Sequence, residues 1–467
     1  MKCNQGVRTS AARDVASWKL VLALICPVFL AGVSVAVAQP TDLKTFAKAR
    51  GIDIGVAVSF PSTGRAQFDS TLTRNFTGMV AENDHKWGNI SSAPGTYSWT
   101  NADRIVDFAQ QQGMNLRFHN FIWHQQSSYI ANGHSNGVAQ PTDPNKYTRD
   151  QAFTHMRNHI GAVFDHYRSK NQLSVFSEWD VVNEATARDS GNDDTAHLYA
   201  GMRRSTGNAL NLDSGLSRWT GYTQGETHDF DYIDSAFAIA HRNDSTARLV
   251  YNDYDAESRG KKSDAVYNLV SKLKSRNIPV NVVGMQCHWY IGPSNSGSSG
   301  AWDPQQVREN MARIGALGLD ISITELDIRY QNPSDSVKRA QQSAAYETIL
   351  SICLAEPHCK RFYVWGIRDA SSWVISRFPG YGSPLLFEGS GTTYTPKSAY
   401  YGLISVLQSG TAIKSAPGVR NRAFGLSFQN TEPVRDLMGR RMSSLPDRPI
   451  FAAQKGASLK TSPNASR

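Results

Sequence analysis

Short apolar segments alternate with longer amphipathic ones along most of the chain. The apolar segments, typical of strands, cover 53–58, 76–82, 115–123, 178–184, 248–253, 282–289, 320–327 and 361–365. The amphipathic segments, typical of helices, include 102–112, 150–167, 231–241, 262–274, 304–317 and 337–354. Strands that alternate with helices indicate a parallel sheet, and eight repeats predict a closed (β/α)8 TIM barrel.

Polar and aromatic residues stand at the carboxyl end of nearly every predicted strand. In a barrel of this kind the active site forms at that end. A barrel that served only stability would not need so many polar groups at one rim. The residues concerned are Glu82, Asn83, Lys86, His119, Trp123, Asn183, Glu184, Asn252, Asp253, Gln286, His288, Trp289, Glu325, Asp327 and Trp365.

The first 38 residues have the pattern of a secretory leader. Four basic residues precede an apolar run over 20–37, and Ala36 and Ala38 fit the small-x-small cleavage pattern. We therefore expect a signal peptide over 1–38, a mature chain that begins at Gln39, and a secreted protein. An uncleaved membrane anchor is the alternative, because the run is nearly long enough to cross a bilayer.

The formal charge of +9 lies at the two ends of the chain. The leader carries +3 and the segment 409–467 carries +7, so the part between them is close to neutral. Nucleic-acid binding requires basic groups gathered on one surface, and this distribution disfavours it. The basic, Ser- and Pro-containing tail over 409–467 is predicted to be flexible and separate from a single catalytic domain over 39–408.

Removal of the leader leaves three cysteines. Cys353 and Cys359 flank a short loop, and export favours a disulfide between them. Cys287 is then expected to be free and buried in its strand. No cysteine or histidine spacing indicates a metal site, and we expect no metal and no cofactor.

Glu184 and Glu325 are the strongest candidates for catalysis. Hydrolysis of a glycosidic bond requires two carboxyl groups, one on each side of the anomeric carbon. Each of these glutamates ends an apolar strand and is expected to project into the barrel mouth. A buried glutamate without a partner is costly, so the alternative, a structural role, requires a cation from elsewhere in the chain.

Strand alternation places Glu325 and Asp327 on one face, and Gln286 and His288 on one face of the preceding strand. A histidine between a glutamate and an aspartate orients the glutamate and keeps it ionised. The alternative for His288 is a core histidine without a role in chemistry.

Other rim residues have the chemistry of sugar binding. Asn183 is suited to hydrogen-bond a sugar hydroxyl at the reacting ring. Trp123, Trp365 and Trp373 are suited to stack on sugar faces, although tryptophan is also a large apolar residue that packs in cores. Their position at the rim favours binding.

Seven segments, in order along the chain, resemble glycoside hydrolase family 10. Residues 179–185 (WDVVNEA) and 323–328 (ITELDI) are similar to the two catalytic signatures of that family. Further segments that resemble it are 81–87 (AENDHKW), 119–124 (HNFIWH), 251–254 (YNDY), 284–288 (GMQCH) and 365–373 (WGIRDASSW). The resemblance spans residues 42–408.

The resemblance implies a monomeric endo-1,4-β-xylanase that cuts xylan and xylo-oligosaccharides with retention of configuration. It implies that Glu184 is the acid/base and Glu325 the nucleophile, about 5–5.5 Å apart. Asn252 and Tyr254 are implied on the leaving-group side, with Asp327 in support. The other implied subsite residues are Glu82, Asn83, Lys86, His119, Trp123, Asn183, Gln286, His288, Trp365 and Trp373.

The sequence departs from the family pattern near these segments. Phe118 stands where the family has glycine, Ala81 replaces a proline, and 125–129 lack the expected proline and tryptophan. We expect these changes to alter loop shape near the subsites and to leave the carboxylates unaffected.

The tail has a second resemblance. Residues 436–441 (DLMGRR), followed by 445–446 (LP) and 450–451 (IF), resemble carboxy-terminal sorting segments on secreted enzymes of cellulose-degrading bacteria. This implies association with the cell surface. An unstructured basic tail without a specific role is the alternative.

Two other functions compete with the xylanase. One is a barrel glycosidase that acts on glucan or mannan, since an Asn-Glu pair at a strand end recurs in related families. The other is a sugar-binding protein on a barrel without activity, and the presence of both Glu184 and Glu325 counts against it.

Overall fold

The computed structural model describes residues 42–61, 64–127, 149–186, 231–292 and 301–409. Its centre is a ring of eight parallel strands. Hydrogen bonds join the strands in chain order and the last strand to the first, so the sheet is closed and the predicted TIM barrel is confirmed. The strands are β1 Asp53–Val58, β2 Gly78–Ala81, β3 Asn115–Trp123, β4 Phe176–Asn183, β5 Leu249–Asp253, β6 Val282–Met285, β7 Asp320–Gln331 and β8 Cys359–Val364.

Helices connect the strands and pack their apolar side chains against the barrel wall. The six predicted helices are present with bounds shifted by three residues at most. Three further helices, α1, α2 and α9, were not predicted. The helices are α1 Leu43–Ala49, α2 Arg65–Asn75, α3 Thr100–Gln112, α4 Arg149–Ser169, α5 Asp231–Asn243, α6 Lys261–Ser275, α7 Pro304–Ala316, α8 Ser336–Ala355 and α9 Ser398–Gln408.

The strand predicted over 282–289 is not continuous. It ends at Met285, and Cys287 adopts a left-handed backbone conformation with φ 61°. The chain then resumes as the short strand His288–Ile291, which pairs in parallel with the distal half of β7. β7 is longer than predicted because this second pairing extends it to Gln331.

The barrel interior holds a buried network of charged residues rather than a wholly apolar core. The Arg117 guanidinium donates to Asp180 at 2.7 and 2.8 Å and to Glu178 at 3.3 Å. Arg361 donates to the other oxygen of Glu178 at 2.6 Å. Buried ions are tolerated when they are paired in this way. Because Asp180 also binds His119 Nδ1 at 2.8 Å, the network reaches the barrel mouth.

Phe118 and Ala81 do not shape loops near the subsites, and that expectation was wrong. Both side chains are fully buried in the layer between barrel and helices. Phe118 packs on Phe121 and Trp179, with ring centroids 4.6 and 5.2 Å apart. The reason is strand alternation, which turns the residue before His119 away from the barrel interior.

The disulfide predicted between Cys353 and Cys359 is present, and Cys287 is free and buried. In the described part of the chain, no helix is long and apolar enough to cross a membrane. The predictions for the leader over 1–38 and the sorting segment over 436–451 concern residues outside those that the structure describes.

A buried histidine is expected to limit acid stability. His159 is fully buried, stacks on Trp87 at 4.0 Å, and has no hydrogen-bond partner on either ring nitrogen among the described residues. Burial lowers the pKa of His159 from 6.5 to about 3. Because the folded chain binds this proton more weakly than the unfolded chain, stability decreases as the pH falls from 6.5 towards 3, by about 3 kcal/mol at pH 4.

The variant His159→Phe keeps a stacked ring without a titratable group. We expect its free energy of unfolding, measured with urea, to fall less between pH 7 and pH 4 than that of the wild type. An identical pH dependence in the two proteins would contradict this account of acid stability.

Candidate active site

A cleft of about 630 Å³ opens at the carboxyl ends of the barrel strands. Thirteen of the residues predicted for the site line it. They are Glu82, Asn83, Lys86, His119, Trp123, Asn183, Glu184, Tyr254, Gln286, His288, Glu325, Trp365 and Trp373.

Glu184 lies just beyond the end of β4 and is held by three donors. Trp123 Nε1 donates to Oε2 at 2.9 Å. Gln286 Nε2 donates to Oε1 at 3.0 Å, and Asn183 Nδ2 donates to the same oxygen at 3.3 Å. The carboxyl group is therefore fixed in direction while it keeps some contact with the cleft. A carboxyl group in this setting can give a proton to a bound ligand or accept one from it.

The backbone of Glu184 is left-handed, with φ 56°, a conformation that is uncommon for residues other than glycine. Its N–H donates to Asn252 O at 2.8 Å. The following residues are held by Asp253, whose Oδ2 accepts from the Thr186 hydroxyl and from Tyr251 at 2.6 Å. Such a conformation persists only when the surroundings fix it, and these contacts fix it here.

Glu325 lies within β7 and is 4% exposed. His288 lies between the two acids of this strand, with Nε2 at 3.2 Å from Glu325 and Nδ1 at 2.7 Å from Asp327. Trp373 Nε1 also donates to Asp327, at 2.8 Å. The arrangement is the one expected from the sequence, a histidine between a glutamate and an aspartate.

The charges in this triad keep Glu325 ionised. Burial acts to raise the pKa of Glu325, but the hydrogen bond from His288 and the positive charges of His288 and Arg117 outweigh it and lower the pKa. Burial acts to lower the pKa of His288, and the Asp327 carboxylate reverses this and raises it. An ionised carboxylate beside a protonated histidine is suited to act as a nucleophile.

Amide side chains link the surroundings of the two carboxylates. Asn252 Nδ2 donates to Glu325 Oε1 at 2.7 Å and to Asn183 Oδ1 at 2.9 Å. Gln286 Nε2 donates to Asn183 Oδ1 at 3.2 Å in addition to its bond with Glu184. The two glutamates are therefore held by one hydrogen-bonded network that spans β4, β5, β7 and the turn after β6.

Two predicted site residues do not line the cleft. Asn252 and Asp327 are fully buried beneath it. Asn252 contacts Glu325, and its Oδ1 accepts from Thr324 at 2.7 Å. Its predicted place on the leaving-group side was therefore wrong, because its amide group is turned inward to the carboxylates. Asp327 supports His288 from below.

Six residues line the cleft that the sequence did not suggest: His124, Gln125, Gln126, Arg329, Arg377 and Phe378. Arg329 lies two and four residues beyond Asp327 and Glu325 on β7, so strand alternation places it on their face. The alternation was a usable signal, but the strand was predicted to end at Asp327. The structure shows Arg329 stacked on Phe378 at 3.9 Å.

The outer part of the cleft brings a cation and a carboxyl group to the end of β2. Lys86 Nζ donates to Asn83 Oδ1 at 2.9 Å and lies 4.9 Å from the Trp123 ring. Burial lowers the pKa of Lys86 and raises the pKa of Glu82, whose carboxyl accepts from Ser59 at 2.9 Å. Closely spaced donors and acceptors beside aromatic rings are typical of a sugar subsite.

Comparison with known proteins decides the family. The model of glycosyl hydrolase family 10 matches residues 42–406. The chain belongs to this family. The prediction of a glycoside hydrolase is confirmed, and the names of the relatives support an endo-acting xylanase.

Two relatives and two solved structures illustrate the match. Endo-1,4-β-xylanase D of Talaromyces funiculosus is 30% identical over 84% of this chain and 83% of that protein. Endo-1,4-β-xylanase B of Neocallimastix patriciarum is 31% identical over 79% of this chain, which spans 36% of that protein. Xylanase 10B of Thermotoga petrophila RKU-1, in complex with xylobiose, is 29% identical with a TM-score of 0.66 and covers 79% of this chain and 98% of its own. TsXylA, an intracellular xylanase of Thermoanaerobacterium saccharolyticum, in complex with xylotetraose, is 28% identical with a TM-score of 0.63 and covers 78% and 98%.

Proposed function

We propose that this family 10 hydrolase cleaves internal β-1,4 linkages of xylan with retention of configuration. The observation that carries the proposal is the pair of differently held carboxyl groups in one cleft. Glu325 is kept ionised by His288, while Glu184 is held by the neutral donors Trp123, Gln286 and Asn183. The retaining mechanism requires such a difference between a nucleophile and an acid/base.

In this mechanism Glu325 attacks the anomeric carbon and forms a glycosyl-enzyme ester. Glu184 protonates the departing glycosidic oxygen in the same step. Glu184 then removes a proton from water, which hydrolyses the ester and regenerates Glu325. The bond from Asn252 to Glu325 directs the attacking oxygen, and His288 compensates its charge before the attack.

Xylan is proposed as the substrate because the relatives named above are xylanases and two solved relatives hold xylobiose and xylotetraose. The test is product analysis by the purified chain on xylan, carboxymethyl-cellulose and mannan. Short xylo-oligosaccharides from xylan, with little release from the other two, are expected. Cleavage of another β-glycan while xylan stays intact would contradict the substrate and leave the carboxylates in place.

We also propose that the chain acts after export as a monomer. The basic, apolar and small-residue pattern over 1–38 supports a cleaved leader. Expression in a secretion-competent host, followed by N-terminal sequencing of the exported protein, is expected to give Gln39 as the first residue. A protein retained in the membrane with its first residues intact would support the anchor instead.

The tail is proposed to be separate from the catalytic unit. Because α9 ends at Gln408 and completes the packing against α8 and α1, a chain that stops at Ser409 is expected to keep kcat and KM on xylan within about twofold of the full chain, as an unpacked tail would not affect the site. Reducing-sugar release from the two purified proteins measures this. A large loss of activity would contradict the domain boundary.

A further inference from the structure

The turn between β6 and the strand His288–Ile291 controls the contacts of both carboxylates. Cys287, at its centre, has φ 61° and lies between Gln286 and His288. Gln286 donates to Glu184 at 3.0 Å, and His288 contacts Glu325 at 3.2 Å. A change in the Cys287 backbone therefore moves a partner of each glutamate.

Two hydrogen bonds hold this backbone. The Cys287 N–H donates to Glu257 Oε1 at 2.8 Å, and the Cys287 carbonyl accepts from the Asp327 N–H at 3.3 Å. A non-glycine residue in the left-handed region is strained and needs such contacts to persist. Glu257 is 2% exposed and lies outside the lining of the cleft.

Glu257 is itself held rigidly in the loop between β5 and α6. The Asn310 amide of α7 donates to the carbonyls of Ala256 at 2.8 Å and Glu257 at 3.0 Å. Asn310 is fully buried, and its Oδ1 accepts from Arg313 at 2.8 Å. The carboxylate that accepts from Cys287 therefore projects from a fixed backbone.

A buried carboxyl group is costly to the fold unless its contacts compensate. Burial, and then the Asp255 charge, raise the pKa of Glu257 to about 7, against the opposing effect of the Cys287 N–H. The charged or titratable groups that face it among the described residues are Asp255 on its own loop, Lys262 on α6 and the Cys287 thiol, and α7 presents the uncharged Asn310.

We propose that Glu257 is a positioning residue of this hydrolase, which acts through the backbone N–H of Cys287 to place Gln286 against Glu184 and His288 against Glu325. The proposal rests on the catalytic roles given to those two glutamates under the proposed function. Glu257 contacts neither the cleft nor the reacting atoms, so its effect passes entirely through this turn.

The test compares the full chain with three variants. Glu257→Ala removes the acceptor, and we expect kcat to fall by about 10²-fold with KM within about threefold, since misplacement of a catalytic group by about 1 Å has an effect of this size. Glu257→Gln keeps an acceptor of the same shape and is expected to recover kcat to within about tenfold of the wild type. Asp42→Ala, which removes the N-cap of α1 at 2.8 Å from the Thr45 N–H, is the control for loss of stability alone.

The pH profile provides a second measurement that a purely structural role does not change. The ionised Glu257 makes a charge-assisted bond with the Cys287 N–H, which is stronger than the bond to a neutral amide. The ratio of kcat in the wild type to kcat in Glu257→Gln is therefore expected to rise as the pH passes through 7. For Asp42→Ala the corresponding ratio is expected to stay constant.

Wild-type kcat in both Glu257 variants would overturn the proposal. So would a loss of activity in Glu257→Ala that Asp42→Ala reproduces at equal melting temperature, or a pH-independent ratio for Glu257→Gln. Rates are measured on dinitrophenyl β-xylobioside and on whichever β-glycan the wild type cleaves. A failure of xylan as substrate therefore appears in the wild type alone and is distinct from a failure of the Glu257 comparison.

Discussion

Replacement of Glu325 by Gln is expected to lower kcat on xylan by about 10⁴-fold or more, the size of effect that follows loss of an enzymatic nucleophile. The amide has the shape of the carboxyl group and can still contact His288 and Asn252, which bond Glu325 at 3.2 and 2.7 Å. It cannot attack the anomeric carbon. Initial rates of reducing-sugar release by the variant and the wild type measure the effect.

The same variant is expected to bind xylo-oligosaccharides with a Kd within a few-fold of that inferred for the wild type, because the cleft is unchanged. Glu309→Gln on the exposed face of α7, where Glu309 accepts from Gln305 at 3.0 Å, is the matched control and should keep full activity. Activity of Glu325→Gln near that of Glu309→Gln would remove Glu325 from the mechanism.

Replacement of Glu184 by Gln is expected to lower kcat on xylan by about 10²–10⁴-fold, the usual contribution of a general acid/base. Its effect depends on the leaving group, because a dinitrophenolate departs without a proton. On dinitrophenyl β-xylobioside we therefore expect a burst of one equivalent of dinitrophenolate, followed by a slow steady state while the ester waits for hydrolysis. Stopped-flow absorbance records both phases.

Glu184→Ala provides the complementary experiment. Azide needs no base to attack the glycosyl-enzyme, so it is expected to speed the slow phase and give a β-xylobiosyl azide. The wild type should show neither the burst nor the azide product under these conditions. If the Glu184 variants lose the burst in the way that Glu325→Gln does, the two roles have been assigned to the wrong residues.

The sequence was sufficient for the parts of the site that lie on regular strands. Glu184 and Glu325 each follow an apolar strand, and a closed parallel barrel brings such strand ends to one rim. The position of His288 between Glu325 and Asp327 also followed from residue types and alternation, although the alternation was applied to a strand that the structure divides.

The remainder depends on contacts that no local pattern encodes. Cys287 is left-handed without being glycine, so the break in the strand 282–289 had no sequence signal. Asn252 carries the residue type of a sugar ligand, and only the fold shows that its amide faces Glu325. Glu257 bonds an amide 30 residues away across the barrel rim, which spacing along the chain does not predict.

Arg329 illustrates a different limit. Its place on the face of Glu325 follows from alternation along β7, but the length of β7 depends on pairing with His288–Ile291. That pairing exists only because the preceding turn redirects the chain. The extent of the cleft was therefore predictable only once the turn at Cys287 was known.

The most direct test of the account is to identify the residue that becomes esterified. The wild type is treated with dinitrophenyl 2-deoxy-2-fluoro-β-xylobioside, which slows hydrolysis of the intermediate, and is then digested and mapped by mass spectrometry. The account predicts one equivalent of label, on the peptide that contains Glu325 and on that side chain. A label on Glu184, or no covalent label while xylan is cleaved with inversion at the anomeric carbon, would contradict it.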